Sequence, residues 1–179
     1  MSTPLRFVLR YDPVFLELGK RLASGEWGRP TGVSVSAILA DAAAEREVLA
    51  FLFLLFGHPL SASRLDCTTF TRSIFLYGSS ALTAECVHAA EAPLYGRRAA
   101  IAGSLSCSAL FAEFRLGAER LLTVARDESR SYRVSMAEGD GARYRRMDER
   151  APDGPVVARA DADAAALAAA DRVLAGSYR

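Results

Sequence analysis

Glu47, His88, Arg10, Tyr11, Arg72 and Tyr77 are the side chains whose types and settings suit chemistry on a small molecule. Glu47 stands where a polar, alanine-rich stretch turns into the apolar run Val48-Leu49-Ala50-Phe51-Leu52-Phe53-Leu54-Leu55-Phe56. A carboxylate at the start of a helix is favoured in its charged form by the helix dipole, whereas partial burial favours the neutral form. Such a group can serve as general acid or base. The alternative is that Glu47 joins Glu45 and Arg46 in a charged, solvated first turn. His88 closes the strand-like run Ala84-Glu85-Cys86-Val87-His88-Ala89, where alternation groups it with Ala84 and Cys86 and opposes it to Glu85. On an open sheet face it would line a pocket; on a packed face it is a satisfied structural histidine. Arg10 offers a guanidinium fork suited to a ligand carboxylate, with Tyr11, Arg72 and Tyr77 as further substrate-binding candidates. His58, just after the apolar run, suits a helix C-terminus better than catalysis.

Other chemistries find less support. Cys67, Cys86 and Cys107 lie in apolar, strand-like stretches without any CxxC pair, so they read as small core residues rather than metal ligands or nucleophiles. With 22 basic and 21 acidic residues the formal charge is +1, which gives no field to attract nucleic acid or an anionic membrane. The cluster Arg143, Arg145 and Arg146 surrounds Tyr144 and is followed by Asp148 and Glu149, a balanced surface segment. The nine-residue apolar run is well short of the roughly 20 residues that a bilayer span needs. The N-terminus shows no basic region followed by an apolar one, and a cytoplasmic protein is expected.

The elements that position these side chains follow from periodicity. Asp12 and Pro13 open a helix with Val14, Phe15, Leu18 and Leu22 on one face, closed by Gly25. Residues 31 to 39 alternate as a half-exposed strand, and Asp41 to Gly57 form a buried core helix. Short alternating segments follow at residues 60–67, 69–77, 82–89, 99–102, 106–114, 120–124 and 131–136, separated by turn residues such as Gly78-Ser79-Ser80 and Gly103-Ser104. Such spacing leaves no room for crossover helices. It predicts an open, mainly antiparallel sheet with helices packed on one face, an α+β single domain spanning residues 1–179. Residues 137–155 read as a surface loop, and 161–176 as an alanine-rich, weakly anchored helix.

Several strings resemble the C-terminal domain of the Gfo/Idh/MocA oxidoreductases, relatives of glucose-fructose oxidoreductase and inositol dehydrogenase. Arg10-Tyr11-Asp12-Pro13 is similar to the family's Arg-aromatic-x-Pro opening, and Leu22 to Arg29 to its helix end before the first strand. Leu52-Phe53-Leu54-Leu55-Phe56-Gly57-His58-Pro59 resembles LLxxLFGxP, Arg97 to Ser104 the strand and turn before GTxGxL, and Ala168 to Tyr178 the closing helix. The resemblance implies a substrate-shaping sheet that often packs against another subunit, and in complete enzymes an N-terminal Rossmann domain for NAD(P). Arg10 and Tyr11 fall where those two domains meet.

Departures from the family shape the functional expectation. There is no G-x-G-x-x-G after a strand and no length before Arg10 for a nucleotide domain, so no cofactor is expected on this chain, with NAD(P) arriving only through a partner chain. The family's G-x-H-x-x-D falls on Glu45, Glu47 and Ala50, which puts Glu47 at the position of the proton-relaying histidine. The expected function is a small-molecule-binding protein or a cofactor-independent enzyme, with Glu47 and His88 catalysing proton transfer in isomerisation, cyclisation or dehydration. Alternatives are a partner subunit for a separate Rossmann chain and a non-catalytic structural module. Strands with apolar residues at both alternations, such as Ile74, Phe75 and Leu76, point to a homodimer through the sheet face.

Overall fold

The computed structural model describes residues 13–39, 42–88, 99–108, 110–116, 121–126, 130–135 and 156–178. Arg10, Tyr11, the helix caps Asp12 and Asp41, and the Arg143–Arg146 cluster lie outside the described residues, as does the 137–155 segment.

Helix α1 spans Pro13–Ser24 and buries Val14 and Leu18 at the spacing that the sequence predicts. Strand β1 (Pro30–Leu39) follows and then α2 (Ala42–Phe56), whose Val48 to Phe53 are all buried. Each large apolar side chain so enclosed contributes on the order of 1.5–3 kcal/mol. Gly57, at φ +83°, ends α2 by donating its N–H to the Phe53 carbonyl over 2.9 Å. A residue with a Cβ would be strained in that left-handed conformation. Seven strands come next: β2 (Ser61–Asp66), β3 (Phe70–Tyr77), β4 (Ser80–His88), β5 (Ala99–Cys107), β6 (Leu110–Leu116), β7 (Leu121–Arg126) and β8 (Arg130–Ser135). Helix α3 (Val156–Leu174) closes the chain.

The strands form one eight-stranded mixed sheet in the order β2-β3-β4-β1-β5-β6-β7-β8. Every pairing is antiparallel except β1 with β4. The architecture is the expected α+β one. Chain order concealed one feature: β1, first in sequence, is inserted between the two meanders. Val33, Val35, Ala37 and Leu39 of β1 share a packed face with Phe75, Leu82, Ala84 and Cys86, beneath the helices. α2 packs on β1, α1 on β6 and α2, and α3 on α2 and β2.

Three local expectations change. Gly103-Ser104 is not a turn: β5 runs straight through it, and the chain reverses only after Cys107. A Cβ at Gly103 would sit 2.8 Å from the Ser34 carbonyl oxygen and closer still to the Phe114 ring, so the glycine makes room for an aromatic. The closing helix is longer than expected and firmly anchored. It buries Ala166, Leu167, Ala169, Ala170 and Val173, while Arg46 on α2 clamps Asp171 with hydrogen bonds of 2.5 and 2.7 Å. Small residues let the two helices approach, which raw helix propensity does not reveal. Of the cysteines only Cys86 is fully buried; Cys107 is partly buried and Cys67 is exposed, contrary to the core reading for all three.

Candidate functional site

Among the described residues, the side chains singled out from sequence, Glu47, Arg72 and Tyr77, do not converge on one site. Glu47 is half-buried on α2 and adds to the electrostatic field at Arg46. Tyr77 lies near the other end of that helix, where its hydroxyl donates to the Gly57 carbonyl over 3.1 Å. At 1.5 Å per residue, the span from Glu47 to Gly57 is about 15 Å, too long for one small ligand to bridge both groups. Burial pushes the Tyr77 phenol well above its ordinary pKa, with the neighbouring Tyr178 adding to the shift, so it acts at neutral pH as a fixed hydroxyl. It also lines a cavity of about 200 Å³ with Arg29, Phe56 and Leu82.

Arg72 lies on the opposite side of the sheet. It stands in register with Glu85 of β4 and donates to that carboxylate from Nε (3.1 Å) and Nη2 (2.5 Å), with its guanidinium 5.8 Å from the Phe70 ring centre. His88 ends β4 in register with Leu39, and its side chain is outside the described residues. Ala84 and Cys86, the residues with which alternation groups it, are buried on the packed face. His58 follows α2 and lies 6.1 Å from the Phe53 ring.

The strongest polar constellation is one that the sequence did not single out. Glu45, expected in a solvated turn, is 3% exposed. Its Oε1 accepts from Arg64 Nη1 at 2.5 Å and from the Thr71 hydroxyl at 2.7 Å, and its Oε2 from Arg64 Nη2 at 3.3 Å. Arg64 Nε then reaches Asp66 Oδ1 at 2.7 Å. Burial works against the Arg64 charge, but hydrogen bonding and attraction to Glu45 and Asp66 carry its pKa above the ordinary arginine value. Burial pushes the neighbouring Cys86 thiol up to about 12, with the negative charge of Glu45 adding to the effect, so it is neither nucleophile nor thiolate ligand at neutral pH. Glu45, α2's inward carboxylate, is thus committed to holding Arg64. The signal that could have found this network is the parity of β2, where Ala62, Arg64 and Asp66 alternate with Ser61, Ser63 and Leu65 and place an arginine on the inward side.

Arg64 and Asp66 also line the larger cavity, about 400 Å³, between edge strand β2 and the end of α3 from Val173 to Tyr178. Among the described residues no group of three or more His, Cys, Asp or Glu side chains could hold a metal ion. No helix among them is long and apolar enough to cross a membrane.

No protein-family model matches the chain, and no curated protein matches it in sequence. Solved structures do match in fold. Levoglucosan dehydrogenase in complex with NADH and levoglucosan superimposes with a TM-score of 0.64 at 13% identity, over 96% of this chain and 63% of that one. A putative oxidoreductase from Klebsiella pneumoniae gives 0.62 at 14% identity, over 94% and 59%. One from Thermotoga maritima gives 0.60 at 12%, over 94% and 60%. The fold is thus that of a part of known oxidoreductases, and this chain spans about 60% of the length of those it matches.

Proposed function

We propose that this chain is the small-molecule-binding portion of an oxidoreductase-type protein, similar to the C-terminal domain of the Gfo/Idh/MocA family, and that it acts by proton transfer without a nucleotide of its own. The observation that carries this reading is the fold match over nearly the whole chain to levoglucosan dehydrogenase in complex with NADH and levoglucosan. Glu47 is the acid–base group in this reading. Glu45, two residues away on the same helix, is occupied in holding Arg64. Its carboxylate removes a proton from one atom of the bound molecule and, as the carboxylic acid, returns it to another. Isomerisation is the simplest outcome, and no electron acceptor is needed.

A second reading is favoured by the NADH in the same matched structure. In it the chain completes an NAD(P)-dependent oxidoreductase whose Rossmann domain is on another polypeptide. In either reading the open sheet face, where Ile38, Ile74, Leu76 and Phe111 are exposed, pairs with a second copy of the chain. Titration with levoglucosan and related metabolites, beside NADH and NADPH, separates the readings. A thermal shift from a metabolite alone, with turnover abolished in Glu47→Gln and the melting temperature unchanged, is the outcome expected of the first. Saturable nucleotide binding by the isolated chain would overturn it.

A further inference from the structure

The smaller cavity, at the C-terminal end of α2, lies about 15 Å along that helix from Glu47, and acid–base chemistry there does not use it. Two parallel strand starts and one hairpin build it. Val33 of β1 and Leu82 of β4 stand in register across the parallel pair of the sheet, and Tyr77 and Ser80 close the β3–β4 hairpin beside them. Phe56, the last residue of α2, supplies the wall on the helix side. Arg29 stands at the entrance to β1 with its backbone fixed to Ser108 in both directions: its N–H donates to the Ser108 hydroxyl over 3.1 Å, and its carbonyl accepts from the Ser108 N–H over 3.0 Å.

Charge and hydrogen-bond accounting select the ligand. Among the described residues that line the cavity Arg29 alone is charged; it is exposed, and its guanidinium makes no ion pair with any described residue. The Tyr77 and Ser80 hydroxyls direct their protons to the Gly57 carbonyl (3.1 Å) and the Tyr77 carbonyl (3.4 Å), so the uncommitted donors are those of Arg29. The first of these bonds also meets the negative end of α2 with a donor. A cation would face the guanidinium with no carboxylate to offset it. One guanidinium balances one negative charge, and its planar fork matches the two oxygens of a carboxylate. We propose that this cavity binds a small monocarboxylate with an apolar body, of the size of butyrate or benzoate. The carboxylate accepts from Arg29, and the body rests against Phe56, Val33 and Leu82. The volume of about 200 Å³ equals that of about seven waters at roughly 30 Å³ each, which suits a ligand of about six to nine heavy atoms.

Titration with sodium butyrate and sodium benzoate, followed by ligand-observed NMR and thermal shift, tests this, with butyramide, benzamide and butylammonium chloride as controls. Saturable binding of at least one carboxylate, about tenfold tighter than its amide, is expected. Arg29→Gln, at an exposed position, should erase that preference, and Arg29→Lys should keep part of it, because the charge remains without the fork. Ser80→Phe, which fills the cavity from the hairpin, should weaken carboxylate binding about tenfold at an unchanged melting temperature; Arg29→Gln decides the case where Ser80→Phe does not fold. Glu47→Gln should leave the affinity unchanged, and a loss there would move the carboxylate to the acid–base site instead. No saturable carboxylate binding, equal affinity for the amide, preference for butylammonium, or binding indifferent to Arg29→Gln or to a folded Ser80→Phe would each overturn the proposal.

Discussion

Two arginine–carboxylate pairs at the same 2.5 Å separation lie on opposite faces of the sheet and differ in little but surroundings. The Arg64 and Glu45 side chains are 14% and 4% exposed beneath the helices; those of Arg72 and Glu85 are 48% and 34% exposed on the open face. In water the attraction is mostly cancelled by screening and by the entropy of two long side chains. In the core the Glu45 carboxylate has lost its hydration, and removing the guanidinium would leave that charge uncompensated. One pair is therefore integral to the fold, and the other is a surface contact.

Arg64→Met should have the largest effect, about 3–5 kcal/mol in denaturant unfolding, because the buried Glu45 charge would lose the guanidinium that balances it. The double variant Arg64→Met with Glu45→Met should recover much of that loss; if it does not, packing rather than charge is what Arg64 provides. Next comes Gly103→Ala on the covered face, expected to cost about 1–3 kcal/mol as Phe114 and the Ser34 carbonyl are forced aside. Its neighbour Ser104→Ala, on the open face, should stay within about 0.5 kcal/mol. Arg72→Gln should cost only about 0.2–1 kcal/mol, shrinking further in high salt. An equal cost for Arg64→Met and Arg72→Gln would erase the distinction between the faces.

A pH-dependent effect concerns Asp171, which the hydrogen bond from Arg46 holds below the ordinary carboxylate pKa. Its folded-state pKa is depressed, so its contribution is complete above the unfolded value and is lost as pH falls through the lower folded one. Melting temperatures of wild type and Asp171→Asn should therefore differ at neutral pH and converge in acid below about pH 4. Because the pair is half-exposed, the neutral-pH difference should stay under about 1 kcal/mol.

Much of the framework was legible from the chain alone. The spacing of Val14 and Leu18, the apolar run closed by Gly57, and the alternation in β1, β3 and β4 identify elements because periods of 3.6 and 2 are local properties of the backbone. Gly103 was misread as a turn because a glycine that avoids a clash and one that bends the chain look alike until Phe114 is placed across from it. The candidate site was less legible still. Glu45 and Glu47 have the same chemistry in the same helix turn, and sequence ranked Glu47 the more informative.

What the sequence determined by itself was the set of elements, their order and an open sheet covered on one face. Tertiary structure alone decided that β1 inserts between β4 and β5, and that Glu45 is the buried carboxylate. It also decided that Arg64 carries a core charge outward to Asp66 at a groove. The reason is distance along the chain: Glu45 meets Arg64 and Thr71, 19 and 26 residues away, and no local pattern records which partner a side chain finds once strands pair.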